Sequence, residues 1–100
     1  MSTPDLSFLE GHDIAVYSFE SCPDCVRLKR WMQNYRFPYR EVDIDRDPEQ
    51  GDRLERETGK MAVPFLLIDD KRWVRGYHKE IPGRFDPVLF LKELRGAMEG

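Results

Sequence analysis

The stretch that decides the fold runs Asp13-Ile14-Ala15-Val16-Tyr17-Ser18-Phe19-Glu20-Ser21-Cys22-Pro23-Asp24-Cys25-Val26-Arg27-Leu28-Lys29. Asp13 to Phe19 is rich in β-branched and aromatic residues, the composition of a strand. Pro23 follows, and its fixed φ suits the first turn of a helix. Cys25, Leu28, Met32 and Tyr35 then recur at helical spacing, while Arg27, Lys29, Arg30, Gln33 and Asn34 supply most of the opposite face. That period predicts an amphipathic helix, ended by Phe37-Pro38. A strand therefore runs into a helix, and both cysteines of the chain, Cys22 and Cys25, stand at the junction.

Working outward, Tyr39 to Asp45 alternates as a second strand, and Pro48 opens a helix through Thr58 with Gly59 as its stop. Strand, helix, strand in this order makes a right-handed crossover with two parallel strands. Val63 to Ile68 reads as a third strand, Asp69-Asp70 as a turn and Arg72 to Arg75 as a fourth strand, giving a hairpin. Asp86 and Pro87 open a last helix, Val88 to Met98, with apolar Leu89, Phe90, Leu94 and Met98. The class is α/β, with a loose N-terminal arm over residues 1–12 and one domain over residues 13–100. Asp43, Asp45 and Asp47 imitate the start of a calcium loop, but Pro48 stands where glycine is wanted and Leu54 where glutamate is wanted. A strand end and a helix approach are expected there instead.

One hundred residues, 40% of them hydrophobic, suit a single core. The net charge of −3 provides no basic excess to neutralise phosphates, so nucleic acid is not an expected partner. Ala62 to Ile68, an apolar run, falls far below the roughly 20 residues of a membrane-spanning helix. The start, MSTPDLSFLEGHD, lacks the basic residues and apolar core of a secretory signal. No membrane partner, a cytoplasmic location and a monomer are the expectations.

In a reducing compartment a lone cysteine pair is more often catalytic or metal-binding than a permanent staple. A bridge across two intervening residues also encloses too short a loop to stabilise much. Structural zinc wants four ligands, and beyond the cysteines only the isolated His12 and His78 are on offer, so no metal is assigned to the single chain. Four thiolates from two chains leave a shared cluster or metal open. Reactive thiols are the favoured reading. The thiolate is the nucleophile, and free N–H groups and the dipole at a helix N-terminus favour an anion. Cys22, at the cap, is expected to attack a disulfide; Cys25, one turn inward, then displaces the mixed disulfide and leaves a redox-active Cys22–Cys25 bridge. Pro23 and Asp24 complete the motif. Asp24 and Glu20 oppose ionisation of Cys22, with Arg27 and Lys29 offsetting part of this, and Asp24 reads equally as a first-turn carboxylate. No glycine-rich dinucleotide loop is present, so no bound cofactor is expected and NADPH would act through a partner.

Three pieces in order carry a resemblance: the strand with CPDC and its helix, then Ala62-Val63-Pro64, then Gly76-Tyr77. Over residues 13–98 the chain resembles a glutaredoxin-type member of the thioredoxin fold. The resemblance implies a four-stranded mixed sheet flanked by three helices, and a cis bond between Val63 and Pro64 beside Cys22. It implies a substrate-binding set of Val63, Pro64, Phe19, Gly76 and Tyr77, the backbone before the proline pairing with the incoming substrate. Glutathione-using members resemble one another in a lysine at the place of Phe19, a threonine at the place of Ala62, and a glycine pair followed by acidic residues where this chain has Arg75-Gly76-Tyr77-His78-Lys79. Gly76 to Ile81 is similar to the glutaredoxin-like redoxins that carry electrons from thioredoxin reductase to ribonucleotide reductase. CPDCVRLK and YREVDID are similar to the mycoredoxin branch, which acts on mixed disulfides with other small thiols. The implied function is a dithiol oxidoreductase for disulfide-containing proteins or low-molecular-weight thiols, with thioredoxin reductase a candidate partner. A non-catalytic binding module, or a metal or iron–sulfur carrier as a dimer, are the alternatives. Arg72, Arg75, His78, Lys79 and Arg84 are expected to ring the site and attract an acidic partner, with Trp73 and Tyr77 as contact area or as core cover.

Overall fold

Ile14–Ser18 forms β1, and all five of its residues are buried. A strand buried throughout needs cover on both faces, and both faces are covered here. The computed structural model describes residues 5–99. In chain order the elements are β1, α1 (Pro23–Asn34), β2 (Arg40–Asp43), α2 (Pro48–Thr58), β3 (Phe65–Ile68), β4 (Arg72–Arg75) and α3 (Pro87–Glu99). The four strands form one sheet in the order β2-β1-β3-β4. β1 and β2 are parallel, as the crossover requires, while β3 lies antiparallel to β1 and to β4. This is the mixed sheet with three helices of the thioredoxin and glutaredoxin fold.

Side chains alternate across the sheet with the period of two that a strand imposes. Ile14, Val16, Leu66, Ile68 and Val74 meet Leu28 and Met32 of α1 and Phe90 and Leu94 of α3 on one face. Ala15, Tyr17, Phe65 and Leu67 meet Leu54 of α2 and Tyr77 on the other. Of the stripe expected on α1, Cys25, Leu28 and Met32 are buried, whereas Tyr35 caps the helix end and stacks on Trp31. Gly59 ends α2 in the left-handed conformation at φ 78°, where a residue without Cβ is not penalised. Asp86 Oδ1 accepts the Val88 N–H at 2.9 Å and so caps α3. Asp43 Oδ1 accepts the Asp45 N–H at 2.9 Å, which makes the acidic run after β2 a strand end and turn.

The N-terminal arm differs from the expectation of a loose segment. Ser7–Leu9 forms a single 3₁₀ turn, and Leu9, 1% exposed, is part of the α1/α3 core with Leu6 and Phe8 packed beside it. Arg95 of α3 lies over the Phe8 ring at 4.8 Å. An apolar LSFL segment next to an open helix–sheet seam gains by burying there. Residues 1–4 of the arm lie outside the described residues. Among the described residues no helix is long and apolar enough to cross a membrane.

Register explains where the site falls. Tyr17 pairs with Phe65, so the antiparallel β3 begins beside the end of β1. Phe65 in turn pairs with Arg75, which puts the end of β4 there too. Three segments far apart in sequence, Ser21–Cys25, Val63–Pro64 and Gly76–Tyr77, thus meet at one end of the sheet.

Candidate active site

Cys22 is the N-cap of α1, with extended backbone at φ −105° and ψ 107° and Pro23 in the first turn. Its Sγ accepts the Cys25 N–H at 3.1 Å. A helix start leaves its first N–H groups without intrahelical partners, and here a sulfur takes one of them. Sγ also lies 4.0 Å from the Val63 carbonyl oxygen, the last carbonyl before the Val63–Pro64 bond, which is cis. Cys22 is 7% exposed, so what solvent access the pair has is on this residue.

Cys25, one turn inward, is fully buried, and both cysteines are free thiols. Burial pushes the Cys25 thiol up to about 12, with the hydrogen bond and charge of Cys22 acting in the same direction. One sulfur therefore caps the helix at the edge of the site, and the other is buried behind it and held as the thiol. Below the ordinary thiol value of 9.0 both folded and unfolded chains keep this proton, and its contribution is fully present. Above it the unfolded chain releases the proton while the folded chain holds it, so stability falls as pH rises through about 12. Denaturant unfolding of the reduced protein is expected to show this alkaline decline, and Cys25→Ser is expected to flatten it relative to wild type.

Around the thiols, Pro64 is buried and accepts the Gly76 N–H at 2.9 Å. Gly76 packs directly on Leu28 and on the proline. Tyr77 is 6% exposed and stacks edge-on against Phe65, so its ring closes the α2-side core. Phe19 is half-buried and lines a groove of about 540 Å³ together with Ser21, Ile44, Asp52 and the exposed Met61. That groove opens beside the residues leading into Cys22. A larger depression of about 640 Å³ runs along β2 and α2 past Tyr17, Gln50 and Arg53 and contains neither cysteine.

Comparison with known proteins bears on what such a site does. The glutaredoxin family model matches residues 14–73, which takes in β1, the cysteine pair, the proline and most of the hairpin. The chain belongs to the glutaredoxin family. It is similar to the glutaredoxin-like protein NrdH of Escherichia coli (strain K12), 30% identical over 75 residues that cover 75% of this chain and 90% of that protein. Glutaredoxin 1 of Rickettsia conorii is also 30% identical, over 78% of this chain and 81% of its own. Among solved structures, the thioredoxin-like protein BC3987 superposes with a TM-score of 0.59 at 25% identity, covering 85% of this chain and 99% of that one. Glutaredoxins are thiol–disulfide oxidoreductases, and the paired cysteines at a helix start are the groups that suit that chemistry.

In this glutaredoxin the charges are arranged differently from the expected basic ring. Arg75 is bound by Glu80 at 2.6 Å and by Glu93 at 3.0 Å. Arg72 donates to the Ala97 carbonyl on α3. His78 is fully buried: the Asp86 N–H donates to its Nδ1 at 3.2 Å, which leaves Nε2 as the donor to Glu93 at 3.2 Å. Long cations beside carboxylates form pairs, and a histidine between Tyr77 and the α3 start is swallowed by Phe85 packing. Among the described residues neither Arg72 nor Lys79 pairs with a carboxylate, and Lys79 lies over the Tyr77 ring at 5.6 Å. Trp73 is core cover as well, stacked on Tyr17 and donating to Glu57 at 2.9 Å.

Asp24 differs too. Lys29 pairs with Glu41 at 2.5 Å and leaves Asp24 to others. Arg27 reaches it at 2.6 Å, and Arg84, 60 residues away, at 2.7 Å. The Arg84 guanidinium, hydrogen-bonded to it, is the largest reason the Asp24 carboxyl lies below the usual carboxylate range. Sequence reading missed this partner, since a single arginine in a Pro-Gly-Arg turn carries no periodic signal toward a distant helix.

Proposed function

We propose that this protein is a dithiol thiol–disulfide oxidoreductase in which Cys22 attacks and Cys25 resolves. The observation that carries the reading is the pairing of a helix-capping sulfur, which accepts the Cys25 N–H at 3.1 Å, with a second thiol fully buried one turn inward. Cys22 thiolate attacks one sulfur of a substrate disulfide, the other sulfur leaves with the electron pair, and a mixed disulfide forms. Cys25 then gives up its proton to the departed thiolate and displaces the second substrate sulfur. Two electrons have passed to the substrate, and a Cys22–Cys25 disulfide remains to be reduced by an outside donor.

Val63, Pro64, Phe19, Gly76 and Tyr77 would shape the approach: the Val63 carbonyl borders Sγ, and Phe19 borders the adjoining groove. The substrates are protein disulfides or mixed disulfides of small thiols, and the electrons come from thioredoxin reductase or from a small-thiol pool. Binding of glutathione through charge at positions 19 and 78 is disfavoured, because Phe19 has none and the buried His78 has both ring nitrogens engaged. The test is NADPH oxidation with a protein disulfide substrate, run with thioredoxin reductase and, separately, with glutathione and glutathione reductase. Turnover in either system is expected, with the thioredoxin reductase arm faster. Turnover in neither, with folded and fully reduced protein, rules the reading out.

A further inference from the structure

We infer that Arg84 is a positioning residue for Cys22: it cancels the charge of Asp24, so that a carboxylate and a capping thiolate can share one helix turn. The inference rests on the reading of Cys22 as the attacking thiolate and adds a residue that the cysteine motif itself does not contain.

The geometry is that of a planar fork on a carboxylate. Arg84 Nε lies 3.0 Å from Asp24 Oδ1 and 3.2 Å from Oδ2, and Nη2 lies 2.7 Å from Oδ2. Such two-pronged pairs fix orientation as well as charge. The Asp24 side chain is 13% exposed, so water does little to screen it. Left alone, a carboxylate two residues after Cys22 would oppose a negative sulfur there. Arg27 supplies a second cation from the same helix through a single nitrogen at 2.6 Å, and its side chain is about as exposed as that of Arg84 (43% against 46%), so it is the two-pronged geometry that sets Arg84 apart.

The backbone that carries Arg84 is itself specifically shaped and tied down. The chain turns through Gly83 at φ 82° and Arg84 at φ 62°, the latter a backbone conformation that non-glycine residues seldom adopt. Such a residue persists where its surroundings over-determine it. Here the His78 N–H donates to the Arg84 carbonyl at 2.7 Å and the Arg84 N–H to the Ile81 carbonyl at 3.2 Å. The loop's other flank is tied by Arg75 to Glu80 and Glu93, and its root by the buried His78. The result is an arginine delivered to the start of α1 from a loop tied by hydrogen bonds and ion pairs.

The charged groups facing this end of α1 can be named. α1 contributes Asp24, Arg27 and the Cys25 thiol, the segment before it the exposed Glu20, and the groove on the α2 side Asp45 and Asp52. Lys29 is occupied by Glu41. Against these acids Arg84 is the cation that the rest of the fold brings in. Its guanidinium is held in the charged form chiefly by the hydrogen bonds and charge of Asp24, with the Cys22 sulfur a smaller contributor.

The test is the rate at which iodoacetamide alkylates Cys22 in the reduced protein at about pH 6, where thiolate fraction limits the rate, read by peptide mass. Arg84→Ala is expected to slow alkylation about five-fold, the scale of losing one nearby opposite charge. Asp24→Asn is expected to raise the rate above wild type, and Asp24→Asn with Arg84→Ala to return it to within about two-fold of wild type. Arg84→Lys keeps the charge and is expected to keep most of the rate. An unchanged rate in Arg84→Ala overturns the inference, as does a double variant as slow as Arg84→Ala, which would make the arginine a structural clamp only. If Arg84→Ala does not fold by thermal unfolding, Asp24→Asn decides alone: a rate equal to or below wild type contradicts it. Alkylation needs no disulfide turnover, so failure here leaves the oxidoreductase reading standing, and absent turnover with these rates as expected would sink that reading alone.

Discussion

Cys22→Ser is expected to remove disulfide reduction almost entirely, by at least roughly a thousand-fold, the scale of deleting a covalent nucleophile. A serine at the N-cap still accepts the N–H of residue 25, and capping by serine is as good as any, so the helix and the fold remain. What is lost is the sulfur: a hydroxyl at this place has no disulfide chemistry. Cys25→Ser is expected to behave differently in kind. It keeps the attacking sulfur and loses the one that completes the exchange, so multiple turnover on protein disulfides fails while single attack persists. Initial rates in the coupled NADPH assay measure both, with far-ultraviolet circular dichroism to confirm the fold. Full activity in Cys22→Ser contradicts the assignment of roles.

The second large effect concerns Gly76. A Cβ at this position would sit 2.5 Å from Leu28 Cδ2, 3.2 Å from Pro64 Cγ and 3.3 Å from the Pro64 carbonyl oxygen. Leu28 is fully buried, and Pro64 sits at the head of the central β3, so neither can withdraw cheaply. Gly76→Ala is expected to cost about 1–3 kcal/mol as an overpacked core site, and Gly76→Val about 3 kcal/mol or more. For a domain of this size each kcal/mol lowers the melting midpoint by about 4–8 °C. Gly96→Ala in α3 is the control: nothing lies within 4 Å of its added Cβ, and a gain of about 0.5–1 kcal/mol from helix propensity is expected. Thermal unfolding of the three variants reads the contrast directly. A Gly76→Val protein as stable as wild type would mean that the contact between β4, the proline and α1 is looser than described. Since the same contact seats Pro64 beside Cys22, the tight glycine links stability to the site.

Much of this arrangement was readable from residue order. The change from strand to helix period at Ser18–Pro23 placed β1, α1 and the cysteine cap, because periodicity is a local property. α2 runs Pro48–Thr58 with Gly59 beyond it, as its proline start and glycine stop demand. Asp69 and Asp70 both take positive φ, at 52° and 61°, and the Lys71 N–H closes the turn on the Ile68 carbonyl at 3.0 Å, within a three-residue connection between Ile68 and its partner Arg72. The cis bond before Pro64 followed from resemblance, not from local composition, whereas the close packing of Gly76 on Leu28 and Pro64 had no signal in the sequence.

What escaped the sequence is long-range. Leu9 joins the core because the α1/α3 seam is open beside it, and nothing in LSFL distinguishes a packed tail from a solvated one. His78 looked like a surface base between Tyr77 and Lys79, yet Glu93 and the Asp86 N–H, both downstream, make its burial tolerable. Asp24 looked like a liability for Cys22. Its compensation comes from Arg84, and charge pairing across 60 residues has no spacing rule that a single sequence displays.

The whole exchange depends on which sulfur attacks. The most direct measurement exposes reduced Cys22→Ser and Cys25→Ser proteins, each with one remaining thiol, to a small aromatic disulfide at neutral pH and follows the covalent adduct by intact mass. Rapid, stoichiometric and lasting adduct is expected on Cys25→Ser, and little on Cys22→Ser, whose remaining thiol is fully buried and pushed up to about 12 in the native site. Faster adduct formation on Cys22→Ser than on Cys25→Ser would contradict the assignment of Cys22 as the attacking sulfur.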